Sequence, residues 1–254
     1  DDGVFRALTS LRQLIKKGNG DVIYSDIHDN PEFKQRGFMY DMSRQRKPKP
    51  EYIFELIDIM AGMKYNELQL YMEDLCFKYE AYPEYTADYD CLTPEDIVAI
   101  DNYCKERFIE LVPHPNGMGH MSAWLEQEEL KHLAVTPDTI NFLDPEAFEL
   151  IDSIYGSLLP YFSSKRVHIG LDEATGLGKG QTEAICKEKG KANVFMDWLN
   201  KLSDHCEKKY GKTVMFWSDM VDNYPESFSQ IPKNAMPVYW GYETLLMPYA
   251  DSRC

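Results

Sequence analysis

Arg166-Val167-His168-Ile169-Gly170-Leu171-Asp172-Glu173-Ala174 is the stretch that decides the fold, with Thr175-Gly176-Leu177-Gly178-Lys179-Gly180 directly behind it. Its apolar, β-branched first half predicts a buried strand, and that strand stops on two adjacent carboxylates. The glycines that follow let a loop turn close to whatever those carboxylates face. Acids at the carboxyl end of a strand, ahead of a loop and a helix, stand where α/β barrels keep their chemistry. Strict alternation predicts His168, Gly170 and Asp172 on one face and Val167, Ile169 and Leu171 on the other. Glu173 falls just beyond, free to swing over the strand ends. An Asp-Glu pair alone reads as solvated loop charge; only the whole string says more.

The same cadence of strand, loop and helix extends to both sides. Gly3 to Ile15 spaces Phe5, Leu8, Leu11, Leu14 and Ile15 as an amphipathic helix, and Asp21 to Phe33 is a polar, extended connector. Arg36 to Arg44 reads as a first strand with its loop, and Pro48 and Pro50 open a helix ending near Met63. Asn66 to Met72 is a second strand with Glu73 and Asp74 at its exit. Thr93-Pro94-Glu95-Asp96 starts a helix with a cap, a first-turn proline and acids, and Asp144-Pro145-Glu146 repeats that chemistry. Phe108 to Pro113 is a third strand, the quoted stretch a fourth, Thr213 to Trp217 a fifth and Met236 to Trp240 a sixth. Asn193 to Tyr210 is a helix that turns Val194, Phe195, Trp198, Leu199 and Leu202 inward. Alternation of this kind predicts parallel strands with right-handed crossovers, an α/β fold of the (β/α)8 TIM-barrel type. Six strands are found where eight close such a barrel, so either the barrel is truncated after the sixth or another segment supplies the last two.

The 254 residues are 44% hydrophobic and 13% aromatic, enough for one large core. A formal charge of -15 argues against nucleic acid and anionic membranes as partners, since both need basic patches. A neutral sugar is compatible with such a surface. No apolar run is long enough to cross a bilayer. The cysteines (Cys76, Cys91, Cys104, Cys186, Cys206 and Cys254) form no CxxC pair and no zinc-finger spacing. They read as reduced thiols, which favours a cytoplasmic protein slightly over a secreted or periplasmic one. Oligomeric state is not legible.

Six short strings carry a family resemblance, in order along the chain. They are Arg36-Gly37 with Asp41-x-Ser43-Arg44, Gln69-Leu70-Tyr71-x-Glu73-Asp74, Gly119-His120-Met121, His168-Ile169-Gly170-x-Asp172-Glu173, Phe216-Trp217-x-Asp219-Met220 and Tyr239-Trp240-Gly241-Tyr242. Together they resemble glycoside hydrolase family 20, the β-N-acetylhexosaminidases. Gln-Leu-Tyr-x-Glu-Asp is most similar to the subgroup related to hexosaminidase D and bacterial N-acetylglucosaminidases. Residues 1–33 then look like the end of a preceding small α/β domain and its linker, and 34–254 like the catalytic barrel, incomplete.

The resemblance implies hydrolysis without a protein nucleophile, a recognised exception among retaining glycosidases. The substrate's own 2-acetamido oxygen attacks the anomeric carbon. Asp172 would orient the acetamido N–H, and Glu173 would protonate the leaving oxygen and later deprotonate water. Adjacent acids suit that division, because a negative charge beside a carboxyl favours its protonated form. By the same resemblance Trp217 and Trp240 wall the N-acetyl pocket, Arg36 binds sugar hydroxyls, and Glu73 or Asp74 with His120 supports Glu173. His168 reads as a core residue or as a hydrogen-bond partner of Asp172. No cofactor is implied, and the partner is a glycan or glycoside containing an N-acetylhexosamine. The family's tyrosine, acid and tryptophan from the last two strands have no match after Tyr242.

Two rival readings follow from the same residues. A non-catalytic N-acetylhexosamine-binding module would keep the pocket without turnover. A metal-dependent hydrolase would use His28, Asp29, His114 and His120, which lack the HxH or HExxH spacing of such sites.

Overall fold

The computed structural model describes residues 1–18, 20–22, 24–44, 47–73, 75–87 and 90–242. The chain divides into two compact units. Unit 1 comprises Asp1–Pro115 and Leu150–Val167, and unit 2 comprises Asn116–Glu149 and His168–Cys254.

In chain order the elements are α1 (Asp2–Lys17), β1 (Gly37–Asp41), α2 (Pro50–Gly62), β2 (Glu67–Met72), α3 (Pro94–Lys105), β3 (Glu110–Pro115) and α4 (Ser122–Leu125). They continue with β4 (Ala134–Thr136), β5 (Thr139–Ile140), α5 (Pro145–Leu158), β6 (Arg166–His168), α6 (Glu183–Lys189), α7 (Lys191–Tyr210), β7 (Thr213–Trp217), α8 (Asp219–Asp222) and β8 (Ala235–Val238). One parallel sheet has the order β1-β2-β3, and a second sheet has the order β6-β7-β8. The α/β class is the one the sequence predicts.

In unit 1, every residue of β2 is buried, which a central parallel strand with both faces covered requires. Two of its polar side chains are joined, with Gln69 Nε2 donating to Glu67 Oε1 at 2.7 Å. Arg166 pairs with Glu67 at 2.6 Å and Glu110 at 2.5 Å, closing the amino ends of β2 and β3. α2 begins on Pro50 and buries Ile53, Ile57, Met60 and Ala61, one face at helical spacing. α3 has the predicted start: Thr93 accepts the Asp96 N–H while Asp96 accepts the Thr93 N–H, a complete capping box.

α1 departs from expectation. It is helical as predicted, yet none of its residues is buried, and Leu8, Leu11 and Ile15 are exposed. It is held within unit 1 by the Arg6 guanidinium, which donates to the carbonyls of Tyr65 and Phe108 at 2.9 and 2.8 Å, and by the Phe5 ring, 5.5 Å from that of Phe108.

Unit 2 corrects the reading of the quoted stretch. β6 ends at His168, and Gly170 (φ 68°) and Leu171 (φ 75°) leave extended geometry. Two-residue alternation therefore fails beyond His168, and Ile169, Gly170, Leu171 and Asp172 are all buried. Gly170 is required there, because a Cβ would stand 2.0 Å from Asn116 Oδ1. β7 and β8 pair in parallel with Val214 opposite Ala235 and Trp217 opposite Val238. α7 buries Val194, Phe195, Trp198, Leu199 and Leu202 as expected and ends on Gly211 in the left-handed region. The antiparallel hairpin β4–β5 and the short α6 had no counterpart in the sequence reading.

Candidate active site

The carboxyl ends of β6, β7 and β8 bring together residues far apart in the chain. Asp172 and Glu173 follow β6, Asp219 follows β7, and Trp240 lies two residues beyond β8. The backbone ties the ends together. Trp217 N–H donates to Gly170 O at 2.9 Å, and Ser218 N–H donates to Val238 O at 2.9 Å. Glu173 N–H donates to Asp219 Oδ2 at 3.0 Å.

Three non-glycine residues of this region hold positive φ: His120 at 53°, Leu171 at 75° and Glu173 at 44°. Each such conformation is costly for an L side chain, so the surroundings must enforce it. The Asp219 clamp on the Glu173 amide is one such constraint. Gly119 is another, since a Cβ there would meet the Asp172 carbonyl oxygen at 2.3 Å. The loop carrying Gly119 and His120 is pinned from behind, with the Trp198 indole N–H donating to Gly117 O at 2.9 Å.

His120 Nε2 lies between the two adjacent acids, 3.2 Å from Asp172 Oδ2 and 3.3 Å from Glu173 Oε2. It stands at ion-pair distance from both without an aligned hydrogen bond to either. Asp172 is 9% exposed, and its other oxygen, Oδ1, is buried with no hydrogen-bond partner among the described residues. Leaving a buried acceptor unmet costs about 1–3 kcal/mol, more for a charged group, so Oδ1 is poised for an incoming donor. Glu173 differs from its neighbour: its side chain is 53% exposed. Burial, with the charge of Asp172 adding to it, raises the Asp219 carboxyl above the ordinary range despite the opposing pull of the Glu173 N–H. The Trp240 indole N–H lies beside that carboxylate and works in the lowering direction.

Behind Glu173, the loop is clasped by the β4–β5 hairpin. Burial alone would raise the Asp138 carboxyl, but hydroxyl donors from Thr136, Thr139 and Thr175 outweigh it and hold the pKa below the usual value. Gly176 N–H donates to Thr139 Oγ1 at 3.1 Å. Neither Asp138 nor Asp219 was singled out from sequence. Asp219 had a signal, as part of Trp217-x-Asp219, while Asp138 sits in a hairpin too short to announce itself.

Unit 2 thus unites Asp172, Glu173, His120 and, at neighbouring strand ends, Trp217 and Trp240. Trp217 is buried with its ring centroid 4.5 Å from that of His168. His168 is a core residue, its Nδ1 accepting the Gly170 N–H at 3.2 Å and its pKa lowered to about 3 by burial.

The remaining candidates belong to unit 1. Arg36 precedes β1 at the strand's amino end, and its guanidinium donates to the carbonyls of Phe33, Lys34 and Lys64. It borders a cavity of about 600 Å³ against α1. The arginine at the carboxyl end of β1 is Arg44, with φ 55°. It pairs with Asp41 at 2.7 Å and with Glu73 at 3.1 Å. Asp74 lies outside the described residues. Among the described residues no three His, Cys, Asp or Glu side chains cluster to hold a metal.

A parallel α/β frame with acids at its strand ends has close parallels among solved structures. A chitobiase from Flavobacterium johnsoniae superposes with a TM-score of 0.79 at 22% identity, over 94% of this chain and 39% of that one. A β-N-acetylhexosaminidase from Bacteroides fragilis gives 0.78 at 22% identity, over 98% of this chain and 53% of that one. The fold is accordingly TIM-barrel-like. The model for "Glycosyl hydrolase family 20, catalytic domain" matches residues 33–247, and the chain belongs to that family. Hexosaminidase D of Bos taurus is 27% identical over 206 residues, covering 77% of this chain and 59% of that protein. The chain spans about half the length of the curated relatives it matches.

Proposed function

We propose that this chain carries the catalytic centre of an exo-acting β-N-acetylhexosaminidase that releases terminal N-acetylglucosamine or N-acetylgalactosamine by substrate-assisted, retaining hydrolysis. The observation that carries this reading is the unmet, buried Oδ1 of Asp172 beside an exposed Glu173. The substrate's acetamido N–H is a donor of the right kind for Oδ1, and accepting it aims the amide oxygen at the anomeric carbon. As that C–O bond forms, the glycosidic bond breaks and Glu173 delivers its proton to the leaving oxygen. Positive charge spread over the oxazolinium ring is stabilised by the Asp172 carboxylate. Water then opens the ring at the anomeric carbon, giving its proton to Glu173 and restoring the acetamido group with retained configuration.

His120, 3.2 Å from Asp172 and 3.3 Å from Glu173, fixes the spacing of the two acids. Trp217 and Trp240 supply apolar surface for the acetamido methyl. The catalytic region is taken to begin near residue 34, and the family match from residue 33 supports that boundary.

The test is release of 4-nitrophenol by the full chain from its N-acetyl-β-glucosaminide and from the plain β-glucoside. Turnover of the first alone is expected. Comparable turnover of the plain glucoside would contradict substrate assistance, and binding of N-acetylglucosamine without turnover of either would favour a sugar-binding module.

A further inference from the structure

A cavity of about 400 Å³ opens beside Glu173, lined among others by Thr175, Lys191, Met220, Asn223 and Tyr224. Asp172 does not line it. If Asp172 faces the acetamido group of the sugar being removed, a cavity touching Glu173 alone lies toward the oxygen that Glu173 protonates. That is the side on which the leaving group must sit.

Among the residues that line this cavity, the cation is Lys191, which is exposed. Lys191 opens α7, and its stem lies across Gly178, where a Cβ would come within 2.4 Å of Lys191 Cε. Gly178, at φ 82°, therefore leaves room for the lysine to cross the loop behind Glu173. The lysines just before it are paired, Lys187 with Glu183 at 2.5 Å and Lys189 with Asp197 at 3.5 Å. Lys191 makes no hydrogen bond or ion pair with a described residue. In a chain with a formal charge of -15, an uncommitted ammonium at the cavity wall is a selective feature. The Asn223 side-chain amide N–H donates to Asp219 O at 3.0 Å, which leaves its carbonyl oxygen to accept from a hydroxyl. Tyr224, half-buried, offers a ring face on which a sugar can stack.

We propose that this cavity is the leaving-group subsite, and that Lys191 selects leaving groups bearing a carboxylate or sulfate next to the scissile bond. The proposal rests on the hydrolase reading above. It is tested with two disaccharides, N-acetylglucosamine β-linked to O4 of glucuronic acid and the same linkage to glucose, cleaved by the full chain.

The quantity read is the ratio of kcat/KM for the acidic over the neutral disaccharide, which does not depend on the fraction of folded enzyme. In the unmodified chain at low salt the ratio should exceed one. Lys191→Met should lower it about 2- to 5-fold, the scale of one exposed ion pair, and Lys191→Arg should keep it. Added salt should collapse the preference of the unmodified chain toward that of Lys191→Met. A sulfated leaving sugar in place of the glucuronate should follow the same pattern. A ratio indifferent to Lys191 and to salt, with both disaccharides cleaved, would overturn the subsite and leave the hydrolase reading standing. Cleavage of neither would overturn both.

Discussion

At the carboxyl end of unit 1's sheet, Arg44 neutralises Asp41 and Glu73 at 2.7 and 3.1 Å. Ser43 knits the two acids together, giving its N–H to Asp41 and accepting the Glu73 N–H with its hydroxyl. At the ends of β6 and β7 in unit 2, Asp172, Glu173 and Asp219 meet no lysine or arginine among the described residues. Their company is His120, the Glu173 N–H and the Trp240 indole. The contrast separates two uses of a carboxylate. Paired with arginine, an acid serves to hold the fold. Grouped with other acids and buried, as Asp219 is, a carboxyl has its pKa raised, the kind of environment that suits catalysis.

The comparison can be broken most forcefully at Glu173. Glu173→Gln keeps the shape and removes the proton carrier, so kcat/KM for an N-acetyl-β-glucosaminide should fall by about 10²–10⁴-fold while the thermal midpoint stays close to that of the parent. Retained turnover would return Glu173 to the class of ordinary surface acids. Gly119→Ala changes no charge at all, yet its methyl group must displace the Asp172 carbonyl. Denaturant titration should register a loss of about 1–3 kcal/mol, with activity reduced in step, because overpacking here moves the acid itself.

In unit 1 the expected change is smaller and of another kind. Arg44→Met should cost about 1 kcal/mol at low ionic strength, less in high salt, since half-exposed ion pairs contribute little and are screened. A salt-independent loss would show that packing, not charge, matters there.

The subtlest effect is expected at Asp219, whose pKa is raised in the folded chain. A raised carboxyl binds its proton more tightly folded than unfolded, so stability is lost as pH climbs from the unfolded value of about 3.8 through the folded one. Asp219→Asn still accepts the Glu173 N–H but has no charge to bury. Its thermal midpoint should exceed the parent's at pH 7, and the gap should close as the pH falls toward 4.

Much of this was readable in the residues themselves, for identifiable reasons. Thr93-Pro94 and Asp144-Pro145 mark helix starts because a side-chain acceptor, an imino acid and first-turn acids satisfy local needs that no distant contact overrides. The adjacent acids Asp172 and Glu173 do follow a strand, although it ends at His168 rather than on them. Left-handed backbone at Leu171 and Glu173 was not readable, since neither residue favours it and only the surrounding contacts impose it. The β4–β5 hairpin, with strands of three and two residues, is too short for alternation to register. Of the two arginines that flank β1, only Arg36 was named as a candidate from the sequence, and by resemblance. Which end of β1 each occupies, and which carbonyls Arg36 serves, emerges only from the folded chain.

The central claim is that the substrate's own amide oxygen, aimed by Asp172, is the nucleophile. It is tested most directly by kcat/KM across 4-nitrophenyl β-glucosaminides whose N-acetyl methyl group carries zero, one, two or three fluorines. Each fluorine withdraws electron density from that oxygen, so the account predicts a steep, stepwise fall in rate. A flat series would show that another nucleophile does the work and would contradict it.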